Sequence, residues 1–191
     1  DGRPFLAIEY IDGITLKESM KIYPRRTPTL AVELMVNLCR AFAGLHELGV
    51  AHRDVKPANV LLPNAGGISL IDFGLIRDAQ GLLQLLEEED PLQSPVFNCE
   101  IDQWLLAGTP EYMAPEQFDD ALSEAGSPDR TDTWSDVYSL GVILFELLSG
   151  TTPFPMPASG GQRSSSEYLH YARWRNELTD DDTPLCSGLD L

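Results

Sequence analysis

His52-Arg53-Asp54-Val55-Lys56-Pro57-Ala58-Asn59 sets a carboxylate, a primary amine and a side-chain amide within six residues, Asp54 to Asn59. Pro57 keeps this segment from running as a helix, so the three side chains can converge on one pocket. Thirteen residues beyond Asn59 comes Asp72-Phe73-Gly74. It closes the second of two short apolar runs, Val60–Leu62 and Ile68–Ile71, which are separated by Pro63-Asn64-Ala65-Gly66-Gly67. That spacer has hairpin chemistry. A hairpin returning Asp72 beside Asn59 would bring an acidic oxygen and an amide oxygen together, where a hard cation such as Mg²⁺ could be held with waters and phosphates. A lone His-Arg-Asp triplet or a lone Asp-Phe-Gly turn is weak, and the ordered combination carries the meaning. The order continues with Gly108-Thr109-Pro110-Glu111-Tyr112-Met113-Ala114-Pro115-Glu116 and then Ser135-Asp136-Val137-Tyr138-Ser139-Leu140-Gly141.

Composition bounds what such a segment can belong to. The chain has 191 residues, 43% hydrophobic and 23% charged, which fits a folded protein with one core of ordinary size. Thirty acidic against thirteen basic side chains give a formal charge of −17, a field that repels nucleic-acid backbones and anionic membranes. No nucleic-acid partner is expected. Cys39, Cys99 and Cys186 are odd in number and unpatterned, so they suggest neither a disulfide framework nor a zinc cluster. A reducing, cytoplasmic location is the expectation. No basic start with an apolar core and cleavage site opens the sequence at Asp1, which reads as an excised piece of a longer protein. The run Val137–Leu148 is broken by Ser139, Gly141 and Glu146 and is shorter than the roughly 20 residues that span a bilayer, so no membrane segment is expected within this chain.

Local signals place the elements. Phe5 to Ile11 reads as a strand ended by an Asp12-Gly13 turn, with a short helix from about Thr15 to Ile22. Thr27-Pro28 opens a long helix with Leu30, Leu34, Leu38, Ala41, Leu45 and Leu48 at helical spacing, closed by Gly49. A solvated excursion is expected from Arg77 to about Leu105. A second strong helix runs from about Thr133 to Ser149, apolar on nearly every face and ended by Gly150. Pro153–Ser166 reads as a loop, and Tyr168–Leu178 as one further helix.

The four motifs together resemble the eukaryotic-type serine/threonine protein kinase family, from about Phe5 to Phe154 and in the family's own order. Lys56-Pro57 and the Gly-Thr-Pro-Glu-Tyr segment resemble the serine/threonine branch, and the compact hairpins and the Ser135–Gly141 helix look bacterial. The resemblance implies an α+β, mainly α fold, the large C-terminal lobe of a kinase with short β-hairpins and the small lobe mostly absent. Residues 1–13 would be hinge strand and linker and 14–178 the large lobe. Within it lie a catalytic loop at 52–59, an activation segment at 72–116 and a central helix at about 133–149. Residues 179–191 would form an acidic, poorly ordered tail.

The resemblance also assigns roles. Asp54 would orient the acceptor hydroxyl of a protein Ser or Thr, and Lys56 would face the γ-phosphate of ATP. Asn59 and Asp72 would hold Mg²⁺. Thr109 would bridge Asp54 and Lys56. Adenine would meet backbone groups of Glu9 and Ile11 over a floor at Leu61, with Ile8 in the gatekeeper place. Asp136 would bond catalytic-loop amides, while His52 and Phe73 would join an apolar stack. Glu116 would pair with an arginine of a later helix, although no Arg-Pro pattern announces one. Arg53 would take a phosphorylated loop residue or a structural ion pair. Pro95–Gly108 contains no Ser, Thr or Tyr, so activation is expected without phosphorylation there, and Glu100 or Asp102 could serve Arg53 instead.

The family's glycine-rich loop, strand lysine and partner glutamate all belong upstream of the hinge. The chain by itself is therefore expected to lack activity or to bind nucleotide weakly. A pseudokinase-like binding module and a small-molecule phosphotransferase of the same fold stand as the alternatives.

Overall fold

The computed structural model describes residues 8–72, 109–122, 133–157 and 165–178. Three short strands, β1 (Gly13–Thr15), β2 (Val60–Pro63) and β3 (Ser69–Leu70), form one antiparallel sheet in the order β1-β2-β3. Five α-helices accompany them among the described residues: α1 (Leu16–Ile22), α2 (Pro28–Glu47), α3 (Pro115–Leu122), α4 (Thr133–Ser149) and α5 (Ser165–Glu177). The mainly helical α+β expectation holds.

Strand β1 corrects the reading of its neighbourhood. Residues 8–12 carry no regular structure, and Asp12-Gly13 is a strand entrance rather than a turn. Phe5–Ala7, the rest of the expected strand, lie outside the described residues. Gly13 faces Pro63 and Ile14 faces Leu62, and a Cβ on Gly13 would stand 2.4 Å from the Leu62 carbonyl oxygen. Only glycine allows the two backbones so close. Thr15 pairs with Leu61 and also caps α1: its hydroxyl accepts from Glu18 N, while the Glu18 carboxylate accepts from Thr15 N at 2.8 Å. That reciprocal box turns the strand directly into a helix, and the same bonds hold the Glu18 carboxyl below its ordinary range.

Helix α2 starts at its predicted cap, with Thr27 Oγ1 accepting from Leu30 N, and ends where Gly49 takes φ 74°. Its buried face is rotated from the expected stripe. Ala31, Met35, Leu38 and Phe42 are buried, whereas Leu30 and Leu48 are 52% and 55% exposed. Two apolar rows share Leu38, and the choice between them depends on what α4 and α1 cover. By length and a mean hydropathy of 1.2, α2 also meets the criterion for a membrane span, although Glu33, Asn37, Arg40 and Glu47 lie exposed on it.

Helix α4 packs along α2 and closes the main core, in which Leu140, Ile143 and Leu147 meet Leu16, Met20, Met35, Leu38, Phe42, Val55 and Val60. It is not apolar all round: Ser135, Asp136 and Ser139 are buried, while Trp134 is 72% exposed. A smaller cluster of Met113, Phe118, Met156, Tyr171 and Ala172 joins α3 to α5. Helix α5 begins at Ser165, three residues before the expected start at Tyr168, within the stretch read as loop.

Two glycines should respond with opposite signs. Gly13→Ala should destabilise the protein by about 1–3 kcal/mol through overpacking against β2. Gly44→Ala, inside α2 with nothing within 4 Å of a new Cβ, should stabilise it by about 0.5–1 kcal/mol. Thermal melts of the two variants check both.

Candidate active site

Arg53 has φ 66°, a left-handed conformation that non-glycine residues rarely adopt, at a cost of about 1–3 kcal/mol. Its surroundings hold it there. The carboxylate of Asp136, fully buried at the start of α4, accepts from His52 N through Oδ2 and from Arg53 N through Oδ1, both at 2.8 Å. His46 Nε2, from the last turn of α2, reaches the same Oδ2 at 2.8 Å. The expected role of Asp136 is thus met by its geometry. His52 is a core residue, 1% exposed and 5.8 Å ring to ring from Phe42. Its Nδ1 accepts from Asp54 N at 3.4 Å, and its Nε2, assigned as the protonated nitrogen on that basis, meets Ile71 O at 3.2 Å.

Beyond Arg53 the chain turns and presents the expected triad of groups. Lys56 Nζ donates to Asp54 Oδ2 at 2.6 Å, and Asn59 Nδ2 donates to the same oxygen and to Asp54 O, each at 2.8 Å. Among the described residues no hydrogen bond falls on Asp54 Oδ1. A single 3-10 turn, Pro57–Asn59, sets Asn59 for this and leads straight into β2. The hairpin then brings the chain back, with Ile71 N donating to Asn59 O at 3.0 Å, so Asp72 follows directly beside Asn59. Asp72 is exposed and has φ 63°. Asn59 spends its amide nitrogen on Asp54, so its amide oxygen and the Asp72 carboxylate are the oxygen donors this stretch can offer. Such a pair suits a hard divalent cation completed by water and phosphate. Among the described residues no three His, Cys, Asp or Glu side chains cluster as a metal site.

Thr109 is half-buried. It precedes a 3-10 turn, Pro110–Tyr112, and makes no hydrogen bond to Asp54 or Lys56 among the described residues. Lys56 reaches Asp54 directly, at 2.6 Å. Leu61 lies half-buried in β2 opposite Thr15, Ile11 is half-buried, and Ile8 and Glu9 are exposed. Phe73, Glu100, Asp102, the 95–108 stretch and the 179–191 tail lie outside the described residues.

Several contributors escaped the sequence reading. Ser139 Oγ donates to Tyr112 O at 2.7 Å, and Ser135 Oγ donates to Glu116 at 2.6 Å. Tyr112 O–H donates to Glu146 at 2.6 Å. Gln117, 1% exposed, donates from Nε2 to Arg53 O and accepts from Ala114 N through Oε1, both at 2.9 Å. Small polar residues at 135, 136 and 139 on one side of an apolar helix were the available signal. Glu116 therefore pairs with Ser135, and a buried arginine of a later helix does exist. Arg175 of α5 lies 4.1 Å over the Phe154 ring and donates to the hydroxyls of Tyr138 and Tyr171. Its Nε is buried without a partner among the described residues. Burial pushes the Tyr171 hydroxyl up to about 12, so it stays protonated and can accept from Arg175.

A helix-anchored loop carrying carboxylate, amine and amide, followed by a hairpin that returns a second carboxylate, defines a protein kinase large lobe. The family model for the protein kinase domain matches residues 2–184, and the chain belongs to that family. It is 32% identical over 167 residues to serine/threonine-protein kinase PknB of Mycobacterium tuberculosis (strain ATCC 25177 / H37Ra), covering 87% of this chain and 22% of that protein. PknB of Mycobacterium leprae (strain TN) is 32% identical over 79% of this chain and 21% of its own length. The probable serine/threonine-protein kinase CE0033 of Corynebacterium efficiens (strain DSM 44549 / YS-314 / AJ 12310 / JCM 11189 / NBRC 100395) is 31% identical over 79% of this chain and 20% of its own length. The chain spans about a fifth of the length of these curated relatives.

Asp136→Ala would strand two buried amides and release Arg53 from its left-handed state, at a cost of about 3–5 kcal/mol by analogy with broken buried pairs. Denaturant titration measures it. Glu146 offers a pH test. Burial raises its carboxyl above the ordinary 4.5, outweighing the opposing bond from Tyr112. A raised folded value means that stability falls as pH climbs from 4.5 through that value. Glu146→Gln keeps an acceptor for Tyr112 and does not titrate. It should melt higher than the wild type at pH 7, with the difference shrinking toward pH 4.5.

Proposed function

We propose that the protein containing this chain is a serine/threonine kinase that transfers the γ-phosphoryl group of ATP to protein Ser or Thr hydroxyls with the help of Mg²⁺. The observation that carries it is the convergence of Lys56 Nζ and Asn59 Nδ2 on Asp54 Oδ2, at 2.6 and 2.8 Å. Phosphoryl transfer asks the protein to aim a hydroxyl in line with the γ-phosphate and to offset charge on its oxygens. With Oδ2 fixed by Lys56 and Asn59, Asp54 keeps Oδ1 for the acceptor hydroxyl and its proton. Lys56, whose side chain is 14% exposed, would set its positive charge against the γ-phosphate. Asn59 and Asp72 would hold the metal, which when bound neutralises phosphate oxygens. Backbone groups at Glu9 and Ile11 and the side chain of Leu61 would receive the adenine.

Support for the serine/threonine branch comes from Lys56-Pro57, from Thr109-Pro110-Glu111-Tyr112, and from the names of the relatives. The comparisons do not favour a small-molecule phosphotransferase, and the intact Asp54, Lys56, Asn59 and Asp72 speak against a non-catalytic module. A cytoplasmic setting fits the free thiol on exposed Cys39. The upstream phosphate clamps that the family uses would come from residues outside the described ones.

In the full-length protein, Asp54→Asn should lower kcat by about 10²–10⁴-fold with little change in KM for ATP. Asp72→Ala should abolish metal-dependent ATP binding. Labelled phosphate should appear on Ser or Thr of a protein acceptor. Label on a small alcohol instead, or undiminished turnover in Asp54→Asn, would overturn the reading.

A further inference from the structure

We propose that Gln117 is a positioning residue that locks Asp54 to the segment Thr109–Ala114, so that the placement of a peptide acceptor and the aim of the carboxylate are set by one side chain. The inference rests on the kinase reading above and deepens it. Arg53 can keep its left-handed φ of 66° only if the peptide groups on both its sides are held. On the N-terminal side Asp136 does this, taking the amides of His52 and Arg53. On the C-terminal side lies the peptide unit joining Arg53 to Asp54, and its carbonyl oxygen receives Gln117 Nε2 at 2.9 Å. Among the described residues its N–H makes the longer bond to His52 Nδ1, at 3.4 Å. Rotation of that peptide unit would swing the Asp54 side chain away from Lys56 and Asn59, and the shorter bond from Gln117 opposes that rotation.

The other end of the same amide is equally committed. Gln117 Oε1 accepts from Ala114 N at 2.9 Å, and Ala114 is fully buried. Gln117 itself is 1% exposed, so neither bond can be replaced by bulk water without opening the fold. Filling both places demands a donor and an acceptor on one planar group of this length. Ionised glutamate offers acceptors only and would set a charge against the Arg53 carbonyl, while leucine offers neither. Protonated glutamate regains a donor. The Tyr112 carbonyl and Glu116 are tied to α4 through Ser139 and Ser135, so the segment Gln117 grips is itself fixed to the helix that carries Asp136.

The test uses the full-length protein with Gln117→Glu and Gln117→Leu, assayed for peptide phosphorylation from pH 5.5 to 8.5, below the melting temperature of each variant. Gln117→Leu should lose roughly 10- to 100-fold in kcat, as a misaimed catalytic group does, with KM for ATP unchanged. Gln117→Glu should match it at pH 8.5 and recover toward wild type as pH falls and the carboxyl becomes a donor. The titratable groups nearby, His46, His52, Asp54 and Asp136, are common to all three proteins and cancel in the ratio to wild type. A flat ratio across pH, or a lower Tm with kcat per folded molecule unchanged, overturns the proposal. If the wild type transfers no phosphate, the kinase reading fails, and amide hydrogen exchange then decides the inference. Exchange at Asp54 and Val55 should accelerate in Gln117→Glu at pH 8.5 while that of α2 stays the same; equal exchange at these amides would overturn it. The same comparison decides the matter if Gln117→Leu does not fold.

Discussion

A single buried carboxylate, Asp136, organises the lobe. Removing an ion of this kind from water costs several kcal/mol in practice, and the protein offsets that by placing two backbone amides and one imidazole on its oxygens. The arrangement works in both directions. The amides stabilise the charge, and the charge holds the loop in a conformation that Arg53 would not otherwise keep. Helix α4 can carry such a group only because its apolar positions Leu140, Ile143 and Leu147 anchor it in the main core. The catalytic loop therefore borrows its rigidity from apolar packing several turns away.

The second layer is the segment 109–117, a 3-10 turn followed by the first residues of α3. Its geometry comes from side chains of neighbouring elements: Ser139 on the Tyr112 carbonyl, Glu146 on the Tyr112 hydroxyl, and Ser135 on Glu116. Each bond satisfies a polar group next to the core, where an unmet donor or acceptor is costly. Raising the Glu146 carboxyl and the Tyr112 hydroxyl above their ordinary ranges is the visible consequence of burying that pair.

Much of this was legible in the residues, and the limits have physical causes. Caps and glycines located α2 and α4 to within a residue or two, because Thr27, Pro28, Gly49 and Gly150 act locally. Motif order found Asp54, Lys56, Asn59, Asp72 and Asp136, because their chemistry is tied to spacing. Local signals failed where the deciding contact is distant. The buried stripe of α2 depends on which face α4 covers, and Asp12-Gly13 looks like a turn until the Leu62 carbonyl is seen pressing against Gly13. Gln117 and Ser139 are ordinary residues whose importance comes only from partners 64 and 27 positions away.

Arg175 illustrates a different use of buried charge. Its guanidinium sits among Phe118, Tyr138, Phe154 and Tyr171, drawn from three helices and a loop, with hydroxyls and ring faces as its neighbours. An aromatic cage of this kind accepts a flat, delocalised cation and would serve a lysine ammonium poorly. It also penalises misassembly. Were α5 to dock one turn out of register, the cation would be marooned in hydrocarbon, so the cage acts as a proofreading key that lets the helix seat in one place.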